Sequence, residues 1–456
     1  MNAPRDIGSR RRRQRGRPQG SAWSIAQARG HVPPLSGERE SCGSLRANGT
    51  SCLQGRVKRA PLIPCKKAFV MDKPMQVRAF AQDGPAARPE LRIRRVDAIA
   101  VAVPLAKPLA MSGVTVADAR NLLVRIEAAD GTLGWGEAAS APTMTGDTLG
   151  GLLAAVREHL APALIGQNVW MRPALCRALR ARLVGNTGAH SAIEMALLDL
   201  CGRAAGLRLV DLVGGAMRTE VKPMWLLGNA ALEDDIAEAL AKTKQGFHGF
   251  KLKVGTKPLE AEIAATLALR EKLGPAVPLS ADANAGFTLA AARRYLDRTR
   301  EADLQFLEQP LDPADLRGLA TLARSCAVPI GADEGIHSLA DIERQARRGL
   351  AGVSLKLIKL GGMSAALEAA NLCERLGLSI NVAAKIAETS IASAAAVHLA
   401  CAVPSADWGV SLTHFYLAED IVKAPLPLGE GAVTLPDGPG LGIEVDERAV
   451  AKFRVE

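Results

Sequence analysis

The stretch GFKLKVG, residues 249–255, is the first of five short apolar runs that each end at charged residues. The other four are PLSADAN (278–284), LQFLEQP (304–310), VPIGADEG (328–335) and GVSLKLIKLGG (352–362). The charged positions recur about one β/α unit apart, and a segment with helical periodicity follows each run. Charged groups at the carboxyl ends of successive parallel strands are typical of the active site of a (β/α)8 barrel. The sequence therefore predicts an α/β fold in which the strand ends supply the chemistry.

Short apolar runs alternate with amphipathic segments over the whole of residues 221–420. Eight strand candidates begin near Val221, Gly249, Pro278, Leu304, Pro329, Gly352, Leu378 and Asp407. Apolar strands that alternate with helices imply a parallel sheet covered by helices, and eight such units imply a closed barrel. We therefore predict a barrel domain over this range.

A different pattern precedes the barrel, over residues 92–215. Alternating apolar positions and the pair Asp130-Gly131 predict a small antiparallel sheet with a hairpin. The segment HSAIEMALLDLCGRAAG (190–206) has apolar residues at helical spacing and predicts a helix that ends at its last glycine. These features predict an α+β capping domain. The Pro- and Gly-rich residues 421–456 predict a tail with one or two strands that returns to the cap.

The net charge of +10 is concentrated at the amino terminus. Residues 1–70 contain 15 of the 57 Lys and Arg residues and 3 of the 47 Asp and Glu residues, which gives +12 here and −2 elsewhere. Because this segment has no apolar periodicity, we expect a disordered basic leader, or sequence upstream of a start at Met71 or Met75. The alternatives are an organellar transit peptide and a nucleic-acid-binding arm. The near-neutral remainder argues against nucleic acid as a partner.

Cysteine usage and hydropathy bear on the compartment. None of the eight cysteines forms a CxxC pair, and most of those after residue 170 lie in apolar segments, where Cys behaves as a small hydrophobe. The chain has no apolar run long enough to span a membrane and no secretory signal pattern. We therefore expect a soluble cytoplasmic protein without a membrane partner.

Three carboxylates, Asp282, Glu308 and Asp333, each follow a different predicted strand. Since the carboxyl ends of parallel strands meet at one end of a barrel, the three side chains can converge. Hard divalent cations such as Mg²⁺ prefer carboxylate oxygens. A single acid after a strand is more often a helix N-cap, but three in consecutive units favour a metal site.

Lysines flank these acids on both sides. Lys251 and Lys253 are two residues apart on one strand, so both side chains point into the barrel. Two neighbouring ammonium groups lower each other's pKa, which would bring Lys253 towards the neutral form that accepts a proton. The alternative is that both lysines are ion-paired with nearby acids. Lys356 follows a later strand across the barrel and predicts a second acid/base group, with Lys359 as a competitor for that role.

From about Arg92 to Glu456 the chain resembles the enolase superfamily, and within it the muconate lactonizing enzyme subgroup. The resemblance rests on an ordered set of motifs, namely Lys-x-Lys (251–253), Asp-x-Asn (282–284), Glu-Gln-Pro (308–310), Asp-Glu (333–334) and Lys356 with Gly361-Gly362 downstream. It implies a modified (β/α)7β barrel with an N-terminal α+β cap, and a homo-oligomer. It also implies a Mg²⁺ or Mn²⁺ ion held by the three carboxylates.

The resemblance further implies an isomerase that removes the proton α to the carboxylate of a small substrate, through a metal-stabilised enolate. Lys253 and Lys356 would exchange the proton, while Lys251 and Asn284 would contact the substrate or tune Lys253. A muconate-cycloisomerase-like cycloisomerase or a racemase/epimerase is expected. The alternatives are a dipeptide or amino-acid-derivative epimerase, a dehydratase of the same superfamily, and a non-catalytic barrel that binds a metal and a ligand.

Lys385 follows the seventh predicted strand, where relatives of this kind have small residues. A cation there would meet a second substrate carboxylate, or it would pair with Glu388 or Asp407. Dipeptide epimerases of the superfamily usually have an Asp-x-Asp near the eighth strand, whereas residues 407–409 supply one Asp, which argues against that activity. His398 lies well into the following helix and is predicted to be a packed core residue.

Overall fold

The computed structural model describes residues 90–111, 114–228 and 230–456. The predicted basic leader, residues 1–70, lies outside the described residues. The described chain forms an antiparallel sheet with helices, then an eight-stranded parallel barrel, then a carboxyl-terminal segment. Among these residues, none of the helices combines the length and the apolar composition that a membrane span requires.

The cap contains an antiparallel sheet in the order β1-β2-β3. Its strands are β1 (Ile93–Met111), β2 (Val114–Ala128) and β3 (Leu133–Ala139). The predicted turn at Asp130-Gly131 joins β2 to β3. There the Thr132 N–H donates to the Asp130 side chain at 2.9 Å, and Gly131 has a φ of +87°. Glycine adopts this conformation without strain, so the hairpin prediction is confirmed.

The helices of the cap pack on this sheet. They are α1 (Leu149–Ala154), α2 (Ala161–Leu164), α3 (Arg172–Arg182), α4 (Thr187–Ala205) and α5 (Leu209–Leu212). The central α4 approaches β3 closely because Gly136 has no side chain: a Cβ there would lie 2.0 Å from the Ala192 carbonyl oxygen. The helix ends at Gly206, which adopts a φ of +67° and is the predicted stop.

Short β4 (Glu220–Val221) precedes the barrel strands of the described chain. The barrel strands are β5 (Met224–Leu227), β6 (Gly249–Lys253), β7 (Leu279–Asp282), β8 (Leu307–Glu308), β9 (Ile330–Ala332), β10 (Gly352–Leu355), β11 (Ser379–Ala383) and β12 (Val410–Ser411). They pair in consecutive order, and a parallel bridge between Pro223 and Val410 closes the ring. The predicted barrel is therefore confirmed.

Helices alternate with the barrel strands on the outside. They are α6 (Leu232–Lys244), α7 (Leu259–Leu273), α8 (Leu289–Arg298), α9 (Leu316–Ser325), α10 (Leu339–Ala346), α11 (Leu357–Leu360), α12 (Met363–Leu376) and α13 (Ser390–Ala402). Side chains cap several of them; for example, the Ser338 hydroxyl accepts the Asp341 N–H at 3.2 Å. A 3-10 turn at His414–Tyr416 follows β12 in place of an α-helix, which gives the (β/α)7β form.

The carboxyl-terminal segment contacts strand β4 and the sheet of the cap. Strand β13 (Val433–Thr434) pairs antiparallel with β4, and α14 (Glu447–Phe453) follows it. The Val455 N–H then donates to the Ala100 carbonyl of cap strand β1 at 3.0 Å. Val221 therefore pairs with the tail, which is why the first barrel strand begins three residues later than the sequence suggests.

Candidate active site

The carboxyl ends of the barrel strands bring the predicted site residues together. In the strand register, Lys253 on β6 lies opposite Asp282 on β7, which in turn lies opposite Glu308 on β8. Asp333 directly follows β9 and Lys356 directly follows β10. All five residues line one cavity of about 410 Å³.

The three predicted ligand carboxylates are buried, and each is paired with a lysine in this structure. None of Asp282, Glu308 and Asp333 is more than 3% exposed. The pairs are Lys253 with Asp282 (2.6 Å), Lys251 with Glu308, and Lys356 with Asp333 (2.5 Å). These three carboxylates, at the carboxyl ends of β7, β8 and β9, form a row of acids in which each negative charge is in contact with a lysine.

Lys253 is held by two residues of the next unit. It donates to Asp282 and, at 2.8 Å, to the Asn284 side-chain oxygen. Burial disfavours the ammonium form, but the Asp282 carboxylate more than offsets this and raises the pKa of Lys253 above its usual value. The prediction of a depressed pKa is therefore wrong for this arrangement, because Lys253 is in direct contact with a carboxylate. The alternative interpretation, an ion-paired lysine, is the one observed.

Lys251 points into the barrel as predicted. It is 3% exposed, and its ammonium group donates to Glu308 and to the Asn381 side-chain oxygen at 3.0 Å. Lys251 also lines the cavity. Its side chain therefore lies beside both a predicted metal ligand and the space that a substrate would occupy.

Lys356 and Lys359 bind the two oxygens of the same carboxylate, that of Asp333. Lys356 lines the cavity, whereas Lys359 is 0% exposed and also donates to the Ser354 carbonyl at 3.0 Å. Burial opposes the charge on Lys356, but Asp333 and Glu308 outweigh it and raise the pKa. Burial lowers the pKa of Lys359. Lys356 is thus the lysine that faces the cavity, and Lys359 contacts Asp333 from the buried side.

Glu334 also lines the cavity, although the sequence-based assignment stopped at Asp333. One of its carboxylate oxygens accepts from the Asn284 amide at 2.9 Å. The other is buried with no hydrogen-bond partner among the described residues. Burial, and then the charges of Asp333 and Asp282, raise the pKa of Glu334 to about 7. The sequence did contain a signal for Glu334, because this residue directly follows Asp333 at the end of the same strand.

The donor set at this end of the barrel fits a hard divalent cation. Asp282, Glu308 and Asp333 provide carboxylates from consecutive units, and the free oxygen of Glu334 adds unused acceptor capacity. Mg²⁺ prefers such oxygen ligands and retains water or substrate oxygens as well. In the described chain, no group of acids, His and Cys is arranged as a preformed metal cluster. Lysine ammonium groups occupy the positions beside the acids instead.

Lys385 follows β11 and lines the same cavity. Its ammonium group donates to the Ile386 carbonyl at 3.1 Å, and its backbone N–H donates to the Glu388 side chain at 2.9 Å. Burial lowers the pKa of Lys385 to about 8 and raises that of Glu388 to about 8. The alternative prediction, in which Lys385 pairs with Asp407, is wrong. Asp407 accepts from the Ile380 N–H near the start of β11, at the opposite end of the barrel.

The last barrel strand ends at Ser411, so Ser411 and Thr413 line the cavity in the place where Asp407 was considered. The Ser411 hydroxyl is buried and has no hydrogen-bond partner within the described part of the chain. The Thr413 hydroxyl donates to the Lys385 carbonyl at 2.9 Å. The Asp-x-Asp expected of a dipeptide epimerase is therefore replaced by neutral residues beside a lysine.

The fold and the site together are those of an enolase-superfamily isomerase. Residues 93–214 match the domain described as "Mandelate racemase / muconate lactonizing enzyme, N-terminal domain", and residues 234–449 match the "Enolase C-terminal domain-like" description. The chain belongs to the mandelate racemase/muconate lactonizing enzyme family, as its motifs imply.

Relatives and solved structures point to the same subgroup. Muconate cycloisomerase 1 of Rhodococcus opacus is 32% identical over 366 residues, which cover 79% of this chain and 98% of that protein. L-Ala-D/L-Glu epimerase of Bacillus subtilis is 31% identical, over 77% of this chain and 97% of that protein. The crystal structure of muconate lactonizing enzyme from Pseudomonas fluorescens complexed with muconolactone superposes with a TM-score of 0.78 and 29% identity, covering 80% of this chain and 100% of that one.

Proposed function

We propose that this protein is a Mg²⁺-dependent isomerase that transfers the proton on the carbon next to the carboxylate of a small substrate. The observation that supports this most is the placement of two lysines around the row of acids. Lys253 precedes the row on β6, and Lys356 follows it after β10, with both side chains in one cavity. A carbon atom held in this cavity has an amine on either side.

The residues have separate roles in the proposed reaction. Asp282, Glu308 and Asp333 would hold Mg²⁺, with Mn²⁺ as a substitute. When bound, the ion stabilises the negative charge that develops on the substrate carboxylate as the α proton leaves. Lys251 donates a hydrogen bond to that carboxylate.

Lys253 and Lys356 each accept or return the proton at their own face of the substrate. A lysine must be neutral to accept a proton, so it must give up its contact with Asp282 or Asp333 in the reacting state.

Cycloisomerisation of a muconate-like substrate is the first candidate reaction, because relatives that are 31% and 32% identical include a chloromuconate and a muconate cycloisomerase. Racemisation or epimerisation is the second candidate. It is favoured by the lysine on each face, since one can remove a proton and the other can return it to the opposite side. All of these reactions pass through an enolate: racemisation and dehydration of a β-hydroxy acid would begin with removal of the α proton, whereas cyclisation of a muconate forms the enolate by ring closure and ends with delivery of a proton to the α carbon.

Deuterium exchange into substrates tests the proposal. The protein is incubated in deuterated water with Mg²⁺, Mn²⁺ or EDTA, and proton NMR follows the α position of muconolactone, Ala-Glu dipeptides, N-succinyl amino acids and proline derivatives. We expect metal-dependent exchange that Lys253→Ala and Lys356→Ala each reduce about 100-fold or more. Lys423→Ala, which removes an exposed lysine, is the control. Exchange that persists in Lys253→Ala would refute the assignment of this lysine as a base.

A further inference from the structure

The Gln309 side chain connects the strand end that carries Glu308 to the turn that follows β9, residues 333–335. Its side-chain oxygen accepts two backbone N–H groups of this turn, from Asp333 at 3.0 Å and from Gly335 at 3.1 Å. Its side-chain nitrogen donates to the Leu311 carbonyl at 2.8 Å. Gln309 is 0% exposed, so these bonds form away from water. The turn is therefore held by an amide that belongs to the preceding barrel unit.

The backbone of Gln309 extends the same connection to both neighbouring units. Its N–H donates to the Gly331 carbonyl on β9 at 2.9 Å, and its carbonyl accepts from the Ala285 N–H, beyond β7, at 2.8 Å. Gln309 also has a φ of +35°, a left-handed conformation that is uncommon for residues other than glycine. Such conformations persist where the surrounding contacts determine them, and they are concentrated at functional sites. Gln309 therefore contacts all three units that supply the predicted ligand carboxylates.

A second buried glutamine lies at the same turn and provides a comparison. Gln345 on α10 is 0% exposed, and neither its side-chain oxygen nor its side-chain nitrogen has a hydrogen-bond partner among the described residues. Both glutamines lie beside Gly335, because a Cβ built there would be 2.9 Å from the Gln345 nitrogen and 3.5 Å from the Gln309 oxygen. The two side chains share their chemistry, their burial and this neighbour, but only that of Gln309 binds the backbone of the turn.

The bond between Gln309 and the Asp333 backbone does not depend on the lysines of the site. The Asp333 carboxylate is bound by Lys356 and Lys359, and a cation at the row of acids would compete with these ammonium groups for its oxygens. The backbone N–H of Asp333 is not a ligand, so its bond to Gln309 can persist whichever cation binds the carboxylate. Groups that orient ligand residues in this way commonly affect the affinity for the metal.

We propose that Gln309 is a positioning residue that fixes the placement of the Asp333 carboxylate relative to that of Glu308, and thereby sets the affinity and the ligand geometry of a divalent cation at the row of acids. This inference rests on the proposed function, because that function assigns the acids as ligands. Gln309 acts through the backbone of a ligand residue, without contact with the cation or the substrate.

Binding of Mn²⁺ to variants of Gln309 tests the inference, by isothermal titration calorimetry and by electron paramagnetic resonance. Gln309→Met removes the acceptor and should weaken Mn²⁺ binding about 10- to 100-fold, the usual effect of losing a group that orients a ligand. Gln309→Asn keeps the amide and suits a positive φ, but its side chain is one methylene shorter, so it should weaken binding several-fold. At saturating Mn²⁺, both changes should alter the fine structure of the spectrum, which reports the arrangement of the ligands.

Gln345→Met is the matched control, since it removes a buried amide without a partner in the described chain, beside the same turn. It should leave the affinity and the spectrum unchanged. Urea unfolding in EDTA identifies the folded variants, and Gln309→Asn provides the test if Gln309→Met does not fold. A folded Gln309→Asn that binds Mn²⁺ as the unchanged protein does would overturn the inference. An equal loss of affinity in Gln345→Met, or failure of both Gln309 variants to fold, would show a structural role and overturn it as well.

The outcome for the proposed function is distinguishable. Weaker Mn²⁺ binding in the Gln309 variants, without deuterium exchange in any substrate by the unchanged protein, would sustain this inference and refute the proposed function. Exchange by the unchanged protein, together with Mn²⁺ binding that is insensitive to Gln309, would overturn this inference alone. Absence of Mn²⁺ binding to the unchanged protein would refute both.

Discussion

Replacement of Lys359 and of Lys356 by methionine should separate support of the site from its chemistry, because both lysines bind Asp333. Lys359 is fully buried and donates to the Asp333 side chain, to the Asp333 carbonyl at 2.5 Å and to the Ser354 carbonyl at 3.0 Å. In Lys359→Met the Asp333 carboxylate keeps Lys356 and the Asp333 carbonyl keeps the Ile336 N–H, but three buried hydrogen bonds from a charged donor are lost. Removal of one partner of a buried ion pair costs about 3–5 kcal/mol when the other charge is left unpaired; because Lys356 remains, we expect the free energy of unfolding to fall by about 3 kcal/mol, the lower end of that range.

Lys356→Met should reduce activity much more than stability. Lys356 lies at the cavity surface, and Asp333 keeps its contact with Lys359 in this variant. We expect a fall in the free energy of unfolding of about 1 kcal/mol and a loss of α-proton exchange of about 100-fold or more.

Urea unfolding in EDTA, followed by circular dichroism, gives the stabilities, and deuterium incorporation at saturating Mg²⁺ gives the activities. Full exchange in Lys356→Met together with abolished exchange in a folded, equally stable Lys359→Met would refute the assignment of the two lysines.

Three further predictions follow from particular contacts. Gly136→Ala places a Cβ against the Ala192 carbonyl and should lower the free energy of unfolding by about 3 kcal/mol. Gly131→Ala, in an open turn with positive φ, should lower it by about 1 kcal/mol. Equal effects of the two changes in urea unfolding would contradict the close packing of α4 on β3. Burial raises the pKa of Glu388 from 4.5 to about 8, so its contribution to stability is complete below pH 4.5 and is lost as the pH rises towards 8. Glu388→Gln should flatten that decline, by about 1.4 kcal/mol per unit of pKa shift, and an unchanged pH profile would show that this carboxyl group is not buried as a neutral acid. Mg²⁺ at 100 times its dissociation constant should raise the free energy of unfolding by about 2.7 kcal/mol, and Glu308→Gln should remove most of this gain; stabilisation that survives this change would place the ion elsewhere.

The barrel and its row of acids could be predicted because the strands β6 to β10 are buried and each ends at, or directly before, a charged residue. Such strands are short apolar runs whose carboxyl ends must meet at one end of a closed barrel. The first and last strands of the barrel were harder to predict. Val221 pairs with the tail strand β13, and the last strand is the two-residue segment Val410–Ser411. Strands this short have almost no periodicity, so the first and last were predicted three residues too early.

The protonation of the lysines in the site could not be predicted from the spacing of residues along the sequence, and neither could the importance of its neutral residues. The contact between Lys253 and Asp282 outweighs the repulsion between neighbouring ammonium groups, and spacing does not show which distance is shorter. Ser411 was missed because its importance depends on an unpaired hydroxyl in a folded cavity, which has no signature in a sequence. His398, by contrast, was expected in the core, and it is 0% exposed with a ring nitrogen bonded to the Val210 N–H.

The cap takes part in holding the segment that contains Lys385. Glu137 on cap strand β3 accepts hydrogen bonds from the backbone N–H and the hydroxyl of Thr389, at 2.9 and 2.7 Å, and Asn121 on β2 donates to the Ala387 carbonyl at 2.8 Å. Ala387 has a φ of +72°, a conformation that costs a residue other than glycine about 1–2 kcal/mol. These contacts hold the segment in that conformation.

The proposed ligand acids and proton-transfer lysines lie at the ends of barrel strands, while the segment with Lys385 depends on cap and barrel together. We therefore expect substitutions in the cap to displace Lys385 from the cavity wall and to leave Lys253 and Lys356 in place.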